Sequence, residues 1–157
     1  MMQYLSDSYE CLMINQEEAI PDMKKTTISK DKAMEILSEI NGYQSLIKNE
    51  YSAKFISQNL GISIQCSNVA NSITPYDTLL VAQHRISGNI ENLNNDSLCF
   101  IEIEINAIWK VDYYSENEEI LKQIDLGVLS FSDAKREAFI IGEKIPYYMY
   151  DIYYIKQ

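Results

Sequence analysis

The spacing of hydrophobic positions predicts both helices and strands in the first two-thirds of this chain. Apolar residues at helical spacing predict two consecutive helices, one capped by Ser29 and running to about Ile40, the other capped by Asn49 and ending at Gly61. Continuous or alternating apolar runs predict three strands: Gln3 to Leu5, Thr78 to Gln83 and Leu98 to Ile105. These elements predict an α/β fold, a single compact domain with a mixed central sheet and helices mainly on one face.

Other segments have different patterns. Residues 6–27 predict an irregular or hairpin-like region, and the Gly- and Asn-rich residues 87–97 predict a turn or loop. The capping-box pattern at Ser115 predicts a helix that ends near Gly127, and Ser132 begins another that ends near Gly142. Residues 147–155 hold five of the chain's twelve tyrosines and favour an edge strand over a protein interface.

Composition limits the class of protein. The chain has 157 residues, of which 46% are hydrophobic, enough to form its own core. It has no apolar run near the ~20 residues of a membrane span, and its N-terminus lacks a secretory signal pattern. We therefore expect a cytoplasmic protein that does not bind membranes.

The net charge and the small number of Cys and His residues argue against further classes of protein. The net charge of −10 argues against binding to long nucleic acids, but it leaves room for a small nucleotide or a protein with a basic face. Cys11, Cys66 and Cys99 have no paired spacing, so buried reduced thiols are expected. With only His84 as an imidazole, we expect no metal site and no cofactor. Glu102 and Glu104 alternate on one face of their strand, which predicts a solvated sheet face rather than a metal site.

The start of the second helix is the best candidate for a ligand site. Its first turn has N–H groups without helical partners and carries partial positive charge, which suits a phosphate. Asn49 would cap this turn, and residues 45–48 would form the loop that faces the ligand. An ordinary capped helix without a ligand has the same spacing.

Several separated segments of the sequence indicate a resemblance to a particular protein family. They are Tyr4-Leu-Ser-Asp-Ser8, Ile28-Ser-Lys-Asp-Lys-Ala33, Ser45-Leu-Ile-Lys-Asn-Glu-Tyr-Ser-Ala53, Leu60-Gly-Ile-Ser-Ile64 and Pro75-Tyr-Asp-Thr-Leu-Leu-Val-Ala-Gln83. In this order, over residues 2–110, the chain resembles the STIV B116-like (DUF1874) family of small viral and archaeal proteins. That family includes the viral ring nucleases that act as type III anti-CRISPR proteins. In the central motif, Ser45, Ile47, Glu50 and Ala53 match the family and Ser52 replaces Thr.

The resemblance implies a domain organisation and a site. Residues 1–110 would form the family's α/β domain, and residues 111–157 a C-terminal extension packed on it. The ligand would be a cyclic nucleotide bound across the two-fold axis of a homodimer. The implied ligand-binding residues are Asp7, Ser8, Ser45, Leu46, Ile47, Lys48, Asn49, Glu50 and Arg85, the last as a phosphate-binding cation.

One departure from the family bears directly on function. The catalytic His of the family motif is Asn49 here, and an amide cannot exchange a proton near neutral pH. Loss of a general acid typically costs about 10²- to 10⁴-fold in rate. The resulting hypothesis is a viral or mobile-element anti-defence protein that sequesters a cyclic nucleotide without efficiently cleaving it, and is therefore not an efficient enzyme. Two alternatives stay open: an active ring nuclease, which uses His84 or simply positions the ribose 2′-hydroxyl for in-line attack on the phosphate, and an acidic inhibitor that binds a host defence protein.

Overall fold

The computed structural model describes residues 2–7, 22–38, 42–67, 73–84 and 98–155. In chain order, the elements in these ranges are β1 (Gln3–Ser6), β2 (Met23–Ile28), α1 (Lys30–Leu37), β3 (Gln44–Ser45), α2 (Glu50–Leu60), β4 (Thr78–His84), β5 (Leu98–Ile105), β6 (Ala107–Tyr114), β7 (Ile120–Leu129), α3 (Phe131–Gly142) and β8 (Met149–Ile155). The strands form a mixed five-stranded sheet, in the order β2-β5-β4-β1-β3, and a three-stranded antiparallel sheet, in the order β7-β6-β8. The predicted α/β class is confirmed. No helix in the described ranges is long and apolar enough to span a membrane.

The chain divides into two compact units. Unit 1 comprises Met1–Pro21 and Lys25–Ile103, and unit 2 comprises Asp22–Lys24 and Glu104–Gln157. The division in the second half of the chain falls within β5, so that this strand contributes residues to both units.

Both predicted helices of unit 1 are confirmed, and their caps explain where they begin. The Ser29 hydroxyl accepts a hydrogen bond from the Lys32 N–H at the start of α1. Helix α1 extends to Leu37, and Ile40, its predicted end, lies outside the described residues. Helix α2 ends at Gly61, which has φ +70° and adopts the left-handed conformation that glycine tolerates without strain.

The core of unit 1 lies between these helices and the five-stranded sheet. Its fully buried side chains include Leu5 of β1, Ile47 of the loop before α2, and Ile56 of α2. In β4, five consecutive residues, 78–82, are buried, as expected for a strand covered on both faces.

Unit 2 differs most from the sequence-based expectations. The segment predicted to be a helix from Ser115 to Gly127 is a turn followed by strand β7, and β6 was not predicted. The helix predicted to begin at Ser132 is α3, which Ser130 caps by accepting from the Asp133 N–H. The predicted edge strand is β8, at one side of the three-stranded sheet.

One face of the three-stranded sheet packs against α3. Val111 and Tyr113 of β6 are buried there together with Ala138 of α3. The Trp109 ring, also buried, lies 5.0 Å from the Phe131 ring, and its indole N–H donates to the Leu129 carbonyl at 2.9 Å. This small core gives unit 2 an apolar centre of its own.

Residues 6–27 also depart in part from expectation. Residues 23–28 form the regular strand β2, whereas residues 8–21 lie outside the described residues. The predicted loop at 87–97 also lies outside them. Cys66 is exposed and Cys99 is half-buried, both as free thiols, so the prediction of buried thiols is wrong for Cys66; Cys11 is not among the described residues.

Candidate ligand-binding site

Parallel strand pairing positions the candidate site. Strand β1 pairs in parallel with β3 and with β4, in a register that places Leu5 opposite Ser45 and Ser6 opposite Val81. The carboxyl ends of these strands therefore meet at one edge of the sheet, where ligands commonly bind in open α/β folds. The Leu46 N–H donates to the Leu5 carbonyl at 2.7 Å and fixes the loop after β3 beside the end of β1.

The loop from Ser45 to Lys48 is held by its own hydrogen bonds. The Ser45 hydroxyl accepts from the Ile47 N–H at 3.3 Å, and the Ile47 carbonyl accepts from the Ser67 N–H at 2.9 Å. Leu46 and Ile47 are buried, so their side chains belong to the core and only their backbone can face a ligand. Lys48 is exposed and supplies a cation next to the helix start.

Asn49 caps α2, as the sequence predicted. Its side-chain oxygen accepts from the Tyr51 N–H at 2.8 Å and from the Ser52 N–H at 3.3 Å, and its carbonyl accepts from the Ala53 N–H at 3.0 Å. Among the described residues, the Glu50 N–H has no acceptor, so it is the first-turn donor that an anion can reach without displacing the cap.

The structure assembles part of the predicted residue set. Asp7, which follows β1, and residues 45–50 come to the same sheet edge. Strand β4 ends there at His84, whose backbone alone is described. Ser8 and Arg85 lie outside the described residues.

Tyr51 is a further candidate residue at this edge, not predicted from the sequence. It lies in the first turn of α2, directly after Glu50, and 73% of its surface is exposed. Ala53, Ile56 and Leu60 form the buried stripe of this helix, and Tyr51 lies on the opposite side. Its position off this stripe was the available signal, since an exposed aromatic ring can stack on a nucleobase.

This edge of the sheet presents groups that could bind a nucleotide. It combines a backbone N–H, the exposed Asn49 amide, the Lys48 ammonium group and an aromatic ring. The N–H, amide and ammonium groups can donate hydrogen bonds to a phosphate, and the ring can stack on a base. No group of three or more His, Cys, Asp or Glu residues that could hold a metal ion occurs in the part of the chain that the structure describes.

Comparisons with known proteins give a likeness in structure only. No protein-family model and no curated protein matches this sequence. Among solved structures, the chain is similar to B116 of Sulfolobus turreted icosahedral virus, with 12% sequence identity and a TM-score of 0.49. The match covers 66% of this chain and 99% of B116.

Proposed function

We propose that this protein binds a cyclic nucleotide second messenger at the carboxyl ends of β1, β3 and β4 and does not cleave it efficiently. The proposal includes membership of the B116-like family and an anti-defence role for a virus or mobile element. The observation that carries it is the convergence of three parallel strand ends on the capped start of α2, fixed by the pairing of Leu5 with Ser45.

In the proposed complex, a phosphate accepts from the Glu50 N–H and interacts with the Lys48 ammonium group. The helix start favours negative charge through its partial positive charge, typically by about 0.3–1 kcal/mol at an exposed position. The Glu50 carboxylate opposes the phosphate, so affinity depends on the backbone donor, Lys48 and a base stacked on Tyr51.

Binding without cleavage follows from Asn49. Its amide oxygen is engaged by two N–H groups of the first turn, which gives this residue a structural task at the position where the family has its catalytic imidazole. An amide so placed orients the helix start but cannot protonate a leaving oxygen.

The proposal also includes a homodimer, in which two α2 starts face one symmetric ligand. The exposed Tyr51 ring would then lie near the shared ligand rather than in water. Sedimentation should give twice the 18.2-kDa chain mass, with or without ligand.

The first experiment is a thermal-shift screen against cyclic di-, tri- and tetranucleotides, followed by chromatography of each mixture. A ligand at about 100 times its Kd adds roughly 2.7 kcal/mol to the free energy of unfolding. We expect one member to stabilise the protein and to be recovered intact. A linear product that disappears in His84→Ala would replace the proposal with an active ring nuclease, and no shift with any member would contradict nucleotide binding.

Three variants at one position then test the site. Asn49→Asp and Asn49→Ser both keep an oxygen that can cap α2, but only the Asp variant adds negative charge. We expect Asn49→Asp to weaken binding at least about tenfold and Asn49→Ser to leave it near the original value, with similar melting temperatures. Asn49→Ala should weaken binding and also cost about 1 kcal/mol of stability through loss of the cap. Equal affinity in the Asp and Ser variants would remove the helix start from the site.

A further inference from the structure

The three-stranded sheet of unit 2 has a second face, directed away from α3, which we call the outer face. In β6, Val111 and Tyr113 point toward α3, so the alternate residues 108, 110, 112 and 114 point outward. Their register partners on β7 and β8 share this face. None of these residues belongs to the start of α2, which was proposed above as the nucleotide site.

Two apolar rows cross the outer face, one near each end. In the first row, Tyr114 lies between Ile120 and Met149, which are 58% and 46% exposed. In the second, Ile108 lies between Val128 and Ile155, which are 59% and 39% exposed. Large apolar side chains that share an exposed face are typical of an interaction surface.

Between the rows lies an acidic centre. Asp112 and Asp151 are direct partners on β6 and β8, an arrangement of like charges that is destabilising by itself. Asp112 is buried and accepts from the Gln123 amide, at 2.8 Å, and from the Tyr153 hydroxyl, whereas Asp151 is exposed. Lys110 is paired with Asp125 at 3.1 Å, so its charge is already neutralised by a carboxylate. A cation supplied from outside could pair with the exposed Asp151 and so reduce its repulsion from Asp112.

We infer that the outer face docks a basic amphipathic helix of another protein. Tyr114 and Ile108 are six positions apart along β6, which separates the two rows by about 20 Å. A helix of about 13 residues spans this distance, with apolar side chains toward its ends and Lys or Arg between them. Helices commonly cover apolar sheet faces, as α3 covers the other face of this sheet.

The charge of the outer face favours a basic helix over the other molecules that could cover it. A second copy docked outer face to outer face around a two-fold axis would place one acidic centre against another. Nucleic acid and anionic lipid carry the same sign of charge as Asp112 and Asp151 and are repelled. A basic helix satisfies both the apolar rows and the acidic centre.

The test uses the full chain and two synthetic helical peptides of about 18 residues. The probe peptide has Leu along one face, toward both ends, and Lys in the centre; the control peptide has Glu in place of each Lys. Binding is measured by fluorescence anisotropy. We expect the Lys peptide to bind and the Glu peptide not to bind, because only the first matches the acidic centre.

Two variants locate the contact, and a third is their matched control. Asp151→Lys and Ile120→Ser should each weaken binding of the Lys peptide about tenfold. Phe139→Ser removes a side chain of α3 that is similarly exposed but lies off the outer face, and it should leave binding unchanged. Unfolding midpoints close to that of the unmodified protein check that all three variants fold, and cyclic nucleotide binding should be unaltered in each.

The inference is overturned if the Lys peptide does not bind, if the Glu peptide binds equally well, or if Asp151→Lys binds the Lys peptide as tightly as the original. A concentration-dependent dimer that Ile120→Ser abolishes would also overturn it, in favour of a second copy on this face.

Discussion

At the scale of single residues, Asp133 links stability to pH. A hydrogen bond from the Lys24 ammonium group at 2.7 Å, assisted by one from the Ser130 hydroxyl, lowers the pKa of Asp133 below its ordinary value of 3.8. The stability that this carboxylate contributes is therefore complete above that value and is lost as the pH falls through the folded-state pKa.

We expect Asp133→Asn to be less stable than the original protein at about pH 7 and the difference to shrink as the pH falls through the lowered pKa of Asp133. Urea unfolding at a series of pH values measures this difference. Lys135→Gln, which changes an exposed charge on the same helix, is the matched control and should show no comparable pH dependence. A difference that stays constant with pH would contradict the assigned role of the carboxylate.

Glu104 shows what residue-level sequence analysis could not predict. Its carboxylate was expected on a solvated sheet face, but it is only 14% exposed and accepts from both the N–H and the hydroxyl of Ser132, at 3.0 and 2.7 Å. The expectation was wrong because its partner is 28 residues away along the chain, at the start of α3. The Asn49 cap was predictable because its partners are two and three residues away.

At the scale of elements, Gly142 allows the end of α3 to approach the sheet closely. A methyl group at this position would lie 2.8 Å from a ring carbon of Tyr147 and 3.1 Å from one of Tyr113. Tyr113 is fully buried and its hydroxyl donates to the Ala138 carbonyl, so its ring cannot easily move.

Gly142→Ala should therefore destabilise the protein by about 1–3 kcal/mol, the usual cost of overpacking a core, although Ala is normally the better helix former. Urea unfolding measures the free energy. Glu143→Ala, at the adjacent exposed position, is the control and should change stability by less than about 0.5 kcal/mol. A more stable Gly142→Ala variant would show that the two tyrosine rings can yield.

The turn before β7 explains why an element was predicted with the wrong type. Ser115 does act as a cap, but its hydroxyl accepts from the N–H groups of Asn117 and Glu119 within a tight turn in which Glu118 has φ +62°. The next side chains that pack toward the core, Ile124 and Leu126, are half-buried and two positions apart, as in a strand. The cap predicted from the local sequence does form, but the segment after it is a strand because its apolar residues pack against α3.

At the scale of the whole molecule, the sequence predicted the helix-start half of the candidate site better than its surroundings. Helix α2 and its caps follow from local spacing. The contact between β1 and the loop at Ser45 joins residues 40 positions apart, and only strand pairing reveals it. Tyr51 was not predicted because it belongs neither to the loop nor to the cap but to the exposed side of the helix.

The net charge of −10 leads to a prediction that distinguishes the long-range electrostatic effect of the whole protein from the short-range effect of the candidate site. In the proposed complex, the overall negative charge would repel a nucleotide at long range, while the Glu50 N–H and Lys48 would attract its phosphate at short range. Salt screens the long-range repulsion first, since the screening length is about 10 Å at 0.1 M.

We therefore expect the affinity for the cyclic nucleotide to stay constant or rise as salt increases, and a DNA duplex not to bind at low salt. Calorimetric titrations at low and high salt measure this, and a steep loss of nucleotide affinity with salt would instead indicate a basic surface that neutralises several phosphates.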